Sequence, residues 1–222
     1  MKHLKELFAC FLLLQFLNLA ALAQQNPPFF NEIEAFKKQD AVNPPPKNAI
    51  LFVGSSSFRM WKDVGNYFPG YTIINRGFGG STLPDAIRYT PDIIIPYQPK
   101  QVVIYCGEND FSADGVTAEI VFDRFTKLFG IVREGLPKAH IVFVSFKPSP
   151  SRLRFMPAMV KANEMIRKYL NKYPRTAYVD VYSKMLLADG TPIPEIFKAD
   201  KLHMTEAGYA IWQKAIKPYL RK

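Results

Sequence analysis

Residues 101–146 read QVVIYCGENDFSADGVTAEIVFDRFTKLFGIVREGLPKAHIVFVSF. A β-rich apolar run, Gln101–Tyr105, gives way to a polar turn, then to a helical stretch, Thr117–Glu134, and then to a second apolar run, His140–Phe146. Both runs are continuous rather than alternating, as expected of strands buried on both faces. In the stretch between them, 3.6-residue periodicity predicts that Ile120, Phe125, Leu128, Phe129 and Val132 share one side of a helix, with Thr117 as its N-cap. Strand, amphipathic helix and strand make a parallel βαβ unit with a right-handed crossover.

The same order extends outward in both directions. Further apolar runs lie at Ala49–Val53, Thr72–Asn75 and Ala177–Val181, and further helical patterns at Ala86–Ile95, Met156–Tyr173 and Glu206–Leu220. The expected fold is therefore α/β: a three-layer, doubly wound, parallel five-stranded sheet with helices on both faces. In such a sheet ligands bind beyond the carboxyl ends of the strands, so the loops after each run are where chemistry is sought.

Before residue 48 the chain has a different character. MKHLKE and the uncharged run Leu7–Ala23, ending Ala21-Leu22-Ala23, have the form of a signal peptide over residues 1–23, with cleavage after Ala23. Export to a periplasmic or secreted location is the expectation, with no membrane span left after cleavage. Pro27-Pro28 and Pro44-Pro45-Pro46 bracket a short helix, Phe30–Gln39, in an N-terminal extension over 24–47, and the remaining domain covers 48–222. The +10 charge raises nucleic acid as a partner, but Lys and Arg are spread singly with no long basic run, which argues against it. Two isolated cysteines, Cys10 and Cys106, rule out a disulfide framework or a cysteine-built metal centre.

Four loops carry candidate chemistry. Gly54-Ser55-Ser56-Ser57 follows the first run and lacks the Gly-Lys-Ser/Thr ending of a phosphate loop. Asn75-Arg76-Gly77-Phe78-Gly79-Gly80 follows the second, and its glycines allow backbone N–H groups close to an anion. Gly107-Glu108-Asn109-Asp110 follows the third; its carboxylates are too few for a calcium loop, while its amide can donate to an oxyanion. Asp200 and His203, three apart, can meet across one turn so that the carboxylate orients the imidazole. Each loop taken singly is also an ordinary turn or surface pair, yet all four fall on one edge of the predicted sheet.

With these residues in hand the chain resembles the SGNH hydrolases, the GDSL-like esterase and lipase family, from about Asn48 to the C-terminus. The resemblance implies a flavodoxin-like fold and a metal-free, cofactor-free serine esterase. Gly54-Ser55-Ser56 matches the Gly-Asp-Ser block and implies Ser56 as nucleophile; Ser55 stands for the usual Asp and Ser57 for the usual Leu, which blurs the choice among three serines. Asn75 to Gly80 matches the second block and Gly107 to Asp110 the third, implying an oxyanion hole of Ser56, Gly80 and Asn109. Asp200 and His203 match the last block and complete the triad. Lys147-Pro148-Ser149-Pro150-Ser151-Arg152 resembles a pattern in a subgroup similar to platelet-activating-factor acetylhydrolase catalytic subunits.

The intervals between blocks are short, leaving little chain for a lid or a deep acyl tunnel. The expected substrate is thus a small-molecule or carbohydrate ester carrying a small acyl group such as acetyl. Trp61, Phe78, Phe111 and Arg152 are candidate rim residues around it, and each aromatic is equally able to be core. The alternatives are a lysophospholipase or thioesterase acting on longer chains, and a non-catalytic carbohydrate- or surface-binding protein on the same fold. Oligomeric state is not legible in the sequence.

Overall fold

The computed structural model describes residues 26–222. The expected signal segment and its cleavage site lie outside the described residues. One compact unit, Asn31–Lys222, holds the sheet. Its elements are α1 (Phe30–Val42), β1 (Ile50–Gly54), α2 (Ser56–Arg59), α3 (Val64–Tyr67), β2 (Ile73–Gly77), α4 (Leu83–Ile93), β3 (Gln101–Tyr105), α5 (Ala118–Gly135), β4 (His140–Val144), α6 (Met156–Leu170), β5 (Thr176–Val179) and α7 (Glu206–Ile216).

The five strands are parallel and ordered β2-β1-β3-β4-β5, with Gly54 opposite Gly77 on one side and Tyr105 on the other. The chain leaves β1 in one direction to form β2 and later returns to the opposite side for β3. The resulting switch point, at the carboxyl ends of β1 and β3, is where sheets of this kind bind their ligands.

Strand alternation divides the core between the two faces. Ile50, Phe52, Val103, Tyr105, Val142 and Val144 pack with Phe58, Trp61, Phe68 and Trp212. On the other face α4, α5 and α6 pack in sequence, and Phe125 meets Phe143 edge-on at 4.8 Å. Within α5 the buried stripe is Val121, Phe125, Leu128, Phe129 and Val132, whereas Ile120 is 37% exposed, contrary to the expectation. One residue along a helix is a rotation of about 100°, which is enough to turn a side chain from core to solvent. Thr117 does cap α5, accepting from the Ile120 N–H.

Helix α4 begins three residues earlier than its apolar pattern suggests. The Asp85 carboxylate accepts from the Thr82 N–H and hydroxyl at 2.9 and 2.6 Å, and the Asp110 carboxylate accepts from the Leu83 N–H at 2.9 Å. Side-chain acceptors at orphan N–H groups set a helix start that hydrophobic periodicity does not reveal.

Among the described residues no helix is long and apolar enough to cross a membrane, and no group of three His, Cys, Asp or Glu side chains gathers that could hold a metal ion. Helix α1, expected in an extension, is bonded to the sheet domain. Its Asp40 pairs with Arg76 and accepts from the Tyr97 hydroxyl, and its Glu32 pairs with Arg59 at 2.9 Å.

Candidate active site

The site begins at Gly54, whose φ is +142° and where an added Cβ would lie 1.9 Å from the Tyr105 carbonyl oxygen. Only glycine fits there. The chain then turns sharply: the Ser55 N–H donates to the Tyr105 carbonyl at 3.0 Å, and Ser56 becomes the first residue of α2. Ser55 and Ser57 are buried at 3% and 2% exposure, which leaves Ser56 as the partly exposed member of the trio.

The Ser56 hydroxyl lies 2.9 Å from Nε2 of His203. Nδ1 of the same ring lies 2.6 Å from Asp200 Oδ2, while Asp200 Oδ1 accepts from the backbone N–H groups of Leu202 and His203, both at 2.9 Å. A carboxylate can only accept, so the ring proton sits on Nδ1 and Nε2 is left to accept from Ser56. Partial desolvation raises the Asp200 carboxyl, but the His203 ring and the two N–H donors outweigh it and hold the group at about 2. The two groups that the sequence spaces 147 residues apart are thus in direct contact.

The three expected oxyanion donors have hydrogens to spare. Among the described residues the backbone N–H groups of Ser56 and Gly80 have no intramolecular acceptor. The Asn109 amide nitrogen donates one hydrogen to the Ser81 carbonyl at 3.1 Å and lies 3.8 Å from where a Gly80 Cβ would be, leaving its second hydrogen beside Gly80. Arg152 donates to Oδ1 of that amide at 3.4 Å and also to the Ser112 hydroxyl, which fixes the carbonyl side of the amide away from Gly80.

The expected aromatic rim is corrected by the structure. Trp61, Phe78 and Phe111 are 1%, 0% and 2% exposed and belong to the core. Trp61 stacks on Tyr209 at 4.8 Å, and Phe111 packs edge-on against Phe146 at 5.7 Å. Large rings near a motif are drawn inward because burying them stabilises the fold by several kcal/mol, roughly 3 to 5 per ring by truncation. Of the four expected rim residues, Arg152 is the one left partly exposed.

Other residues support the site through contacts that the sequence did not show. The Asn75 amide donates to the Phe58 and Trp61 carbonyls at 2.7 and 3.1 Å and accepts from the Gly77 N–H at 2.9 Å, clasping the end of α2 to β2. Tyr209 of α7 donates to the Ser57 carbonyl at 2.8 Å. Glu32 of α1 accepts from the Gly79 N–H at 3.1 Å and so steadies the glycine loop next to Gly80. Asp110 is committed elsewhere, to the Leu83 N–H and to Arg124 at 2.8 Å; burial raises its carboxyl, against the pull of those two donors. Cys106 is buried and free, and burial pushes its thiol well above the ordinary value, so it offers no rival nucleophile.

A serine in contact with a histidine that a carboxylate orients, at the switch point of a parallel sheet, matches a known pattern. The model of the GDSL-like Lipase/Acylhydrolase family matches residues 52–211. The chain belongs to this family. Its activity class is hydrolysis of ester bonds. The chain is 28% identical over 171 residues to platelet-activating factor acetylhydrolase IB subunit alpha1 of Pongo abelii, covering 72% of this chain and 70% of that one. A GDSL-like lipase from Bacteroides thetaiotaomicron shares the fold with a TM-score of 0.70 at 22% identity, over 84% of this chain and 96% of the other. A Streptococcus pneumonia protein described as a platelet activating factor does so with a TM-score of 0.74 at 21% identity, over 95% and 99%.

Proposed function

We propose that this family member is an exported serine esterase that removes short acyl groups, acetyl foremost, from a larger alcohol, a carbohydrate being the favoured one. The observation that carries the mechanism is the Ser56–His203–Asp200 chain of contacts at 2.9 and 2.6 Å. His203 takes the Ser56 proton as the hydroxyl attacks the ester carbonyl, then delivers it to the departing alkoxide; water repeats the cycle to release the acid. Asp200 stays anionic and stabilises the imidazolium. The N–H groups of Ser56 and Gly80 and the Asn109 amide receive the oxyanion, and loss of one such donor costs about 3 kcal/mol of barrier.

Short acyl groups are supported by the openness of the site, where the His203 and Asp200 side chains are 20% and 48% exposed, and by the acetylhydrolase name of the curated relative. Export rests on the signal-like N-terminus alone. Intact mass of the exported protein is expected to begin at Gln24, and a mature form retaining Leu7–Ala23 would make it membrane-anchored instead.

A second reading, longer acyl chains, draws on an apolar groove of about 470 Å³ beside the His203 loop, lined by Pro150, Leu153, Pro194 and Phe197 among others. The test is a panel of p-nitrophenyl esters of rising chain length with acetylated sugars, run on the parent and on Ser56→Ala. The parent is expected to favour acetyl and to be labelled by a fluorophosphonate, while Ser56→Ala loses kcat by roughly 10⁶-fold with its fold intact. A preference rising with chain length would transfer the enzyme to the lysophospholipase or thioesterase class, and near-normal turnover in Ser56→Ala would overturn the serine mechanism.

A further inference from the structure

Directly beneath Asn109 lies a charged cluster that the catalytic reading does not use. Lys147, in the loop after β4, is 1% exposed, and its ammonium sits 2.8 and 3.0 Å from the two carboxylate oxygens of Glu108, itself 3% exposed. The Tyr105 hydroxyl donates to the same carboxylate, and the Ser149 hydroxyl does so at 3.4 Å. Tyr105 is fully buried and packs against Phe58 at 5.9 Å and Trp212 at 4.7 Å. The network therefore joins the end of β3, the Gly107–Asp110 loop and the Lys147–Arg152 loop, and through Tyr105 it packs against Phe58 of α2.

We propose that Glu108 and Lys147 are a buried pair of positioning residues that hold the Asn109 amide at the oxyanion position. This rests on the serine-esterase reading above. In Gly107-Glu108-Asn109-Asp110 the two carboxylates run to separate anchors: Glu108 to Lys147 and Tyr105, Asp110 to the Leu83 N–H and Arg124. The amide between them is left beside Gly80. Stability alone gives no reason for such a pair, because apolar side chains of similar volume fill a core at least as well once the desolvation of two charges is counted. What the pair supplies is geometry. One ammonium spanning both carboxylate oxygens, with two hydroxyls on the same carboxylate, leaves Glu108 a single arrangement. The pair is neutral overall, so it adds no net charge at the oxyanion.

Replacing one partner strands the other as an unpaired buried charge, so the test uses the charge-balanced double variant Glu108→Gln/Lys147→Met in the full chain. Hydrolysis of p-nitrophenyl acetate is measured on the parent and on Asn109→Ala, each with and without the double substitution. On the parent, kcat is expected to fall roughly 10²-fold, the scale of an ångström's misplacement of a catalytic group, with KM within about threefold. On the Asn109→Ala background the same change is expected to cost less than about twofold, because its effect passes through an amide already removed. A double variant that keeps parental kcat, or an equal loss on both backgrounds, would overturn the proposal. If the double variant does not fold, Tyr105→Phe, which removes a hydroxyl from the Glu108 carboxylate while keeping the two charges paired, carries the same comparison. Ser56→Ala measured alongside keeps the two ideas apart: turnover surviving there defeats the serine reading, whereas a labelled Ser56 with kcat insensitive to the pair defeats only the positioning role.

Discussion

The two ends of the sheet hold opposite kinds of space. At the carboxyl ends of the strands the carboxylates are engaged: Glu108 by Lys147, Asp110 by Arg124, and Asp200 by the N–H of the neutral His203 ring. At the amino ends a hollow of about 600 Å³, larger than the groove beside the catalytic loop, is lined by Lys100, Lys138, His140 and Arg221 among others. Among the described residues none of these four has an ion-pair partner. Burial lowers the His140 pKa, and Arg221, Arg175 and Arg133 lower it further. Volume and chemistry thus lie at opposite ends. A reaction site is built by groups of complementary role converging on one point, which like-charged side chains around a larger hollow do not do.

That contrast can be tested by perturbing one end at a time. The largest of these effects is expected from Asp200→Asn, which should lower kcat by about 10⁴-fold while binding changes little, because an amide can hold the imidazole in the wrong tautomer. Asp200 remains ionised down to about pH 2, so the carboxylate is expected to stay charged, and able to support the imidazole, across the whole pH range in which kcat/KM is measured. A loss of only a few-fold in Asp200→Asn, with an unchanged pH profile, would show that Ser56 and His203 work without the carboxylate.

Next comes Asn109→Ala, for which kcat is expected to fall roughly 10²- to 10³-fold with KM little changed, since the amide meets charge only in the transition state. A rise in KM at constant kcat would place Asn109 in ground-state binding instead.

The smallest effect is expected at the amino end. His140→Gln should leave kcat/KM unaltered. The folded chain holds the His140 pKa below the ordinary 6.5, so its contribution to stability is complete above that value and is lost as pH falls below it, where the unfolded chain takes the proton first. The fall in Tm on acidification from about pH 7 to about pH 5 should therefore be shallower in the variant, by no more than about 2 °C. An unchanged Tm profile would show that His140 is not under the strain its cationic neighbours imply, and a change in kcat/KM would couple the two ends.

How far the fold was legible follows from where its information lies. Continuous apolar runs and helical periodicity are local properties, and they placed β3 at Gln101–Tyr105 and the other four strands to within two residues at each end. The polar residues that close the loops were equally visible as Gly54-Ser55-Ser56, Gly107-Glu108-Asn109-Asp110 and Asp200–His203, because a residue's chemistry is written at its own position. The start of α4 was missed because apolar periodicity does not mark it: its Thr82–Asp85 capping box is local, and its second cap, the Asp110 carboxylate on the Leu83 N–H, comes from 27 residues away.

Identity and order along the chain were thus enough for an α/β sheet with its candidate groups on one edge. The Gly54-Ser55-Ser56 register already singled out Ser56, and folding supplied the physical ground, turning Ser55 and Ser57 inward and setting the Ser56 hydroxyl on His203. Folding likewise withdrew Trp61, Phe78 and Phe111 into the core, brought Glu32 of α1 to the Gly79 N–H and joined Lys147 to Glu108. The physical reason is range. Backbone propensity and apolar periodicity act over a few residues, while a side chain's exposure and partner depend on which distant segments meet it, and those meetings exist only in the packed chain.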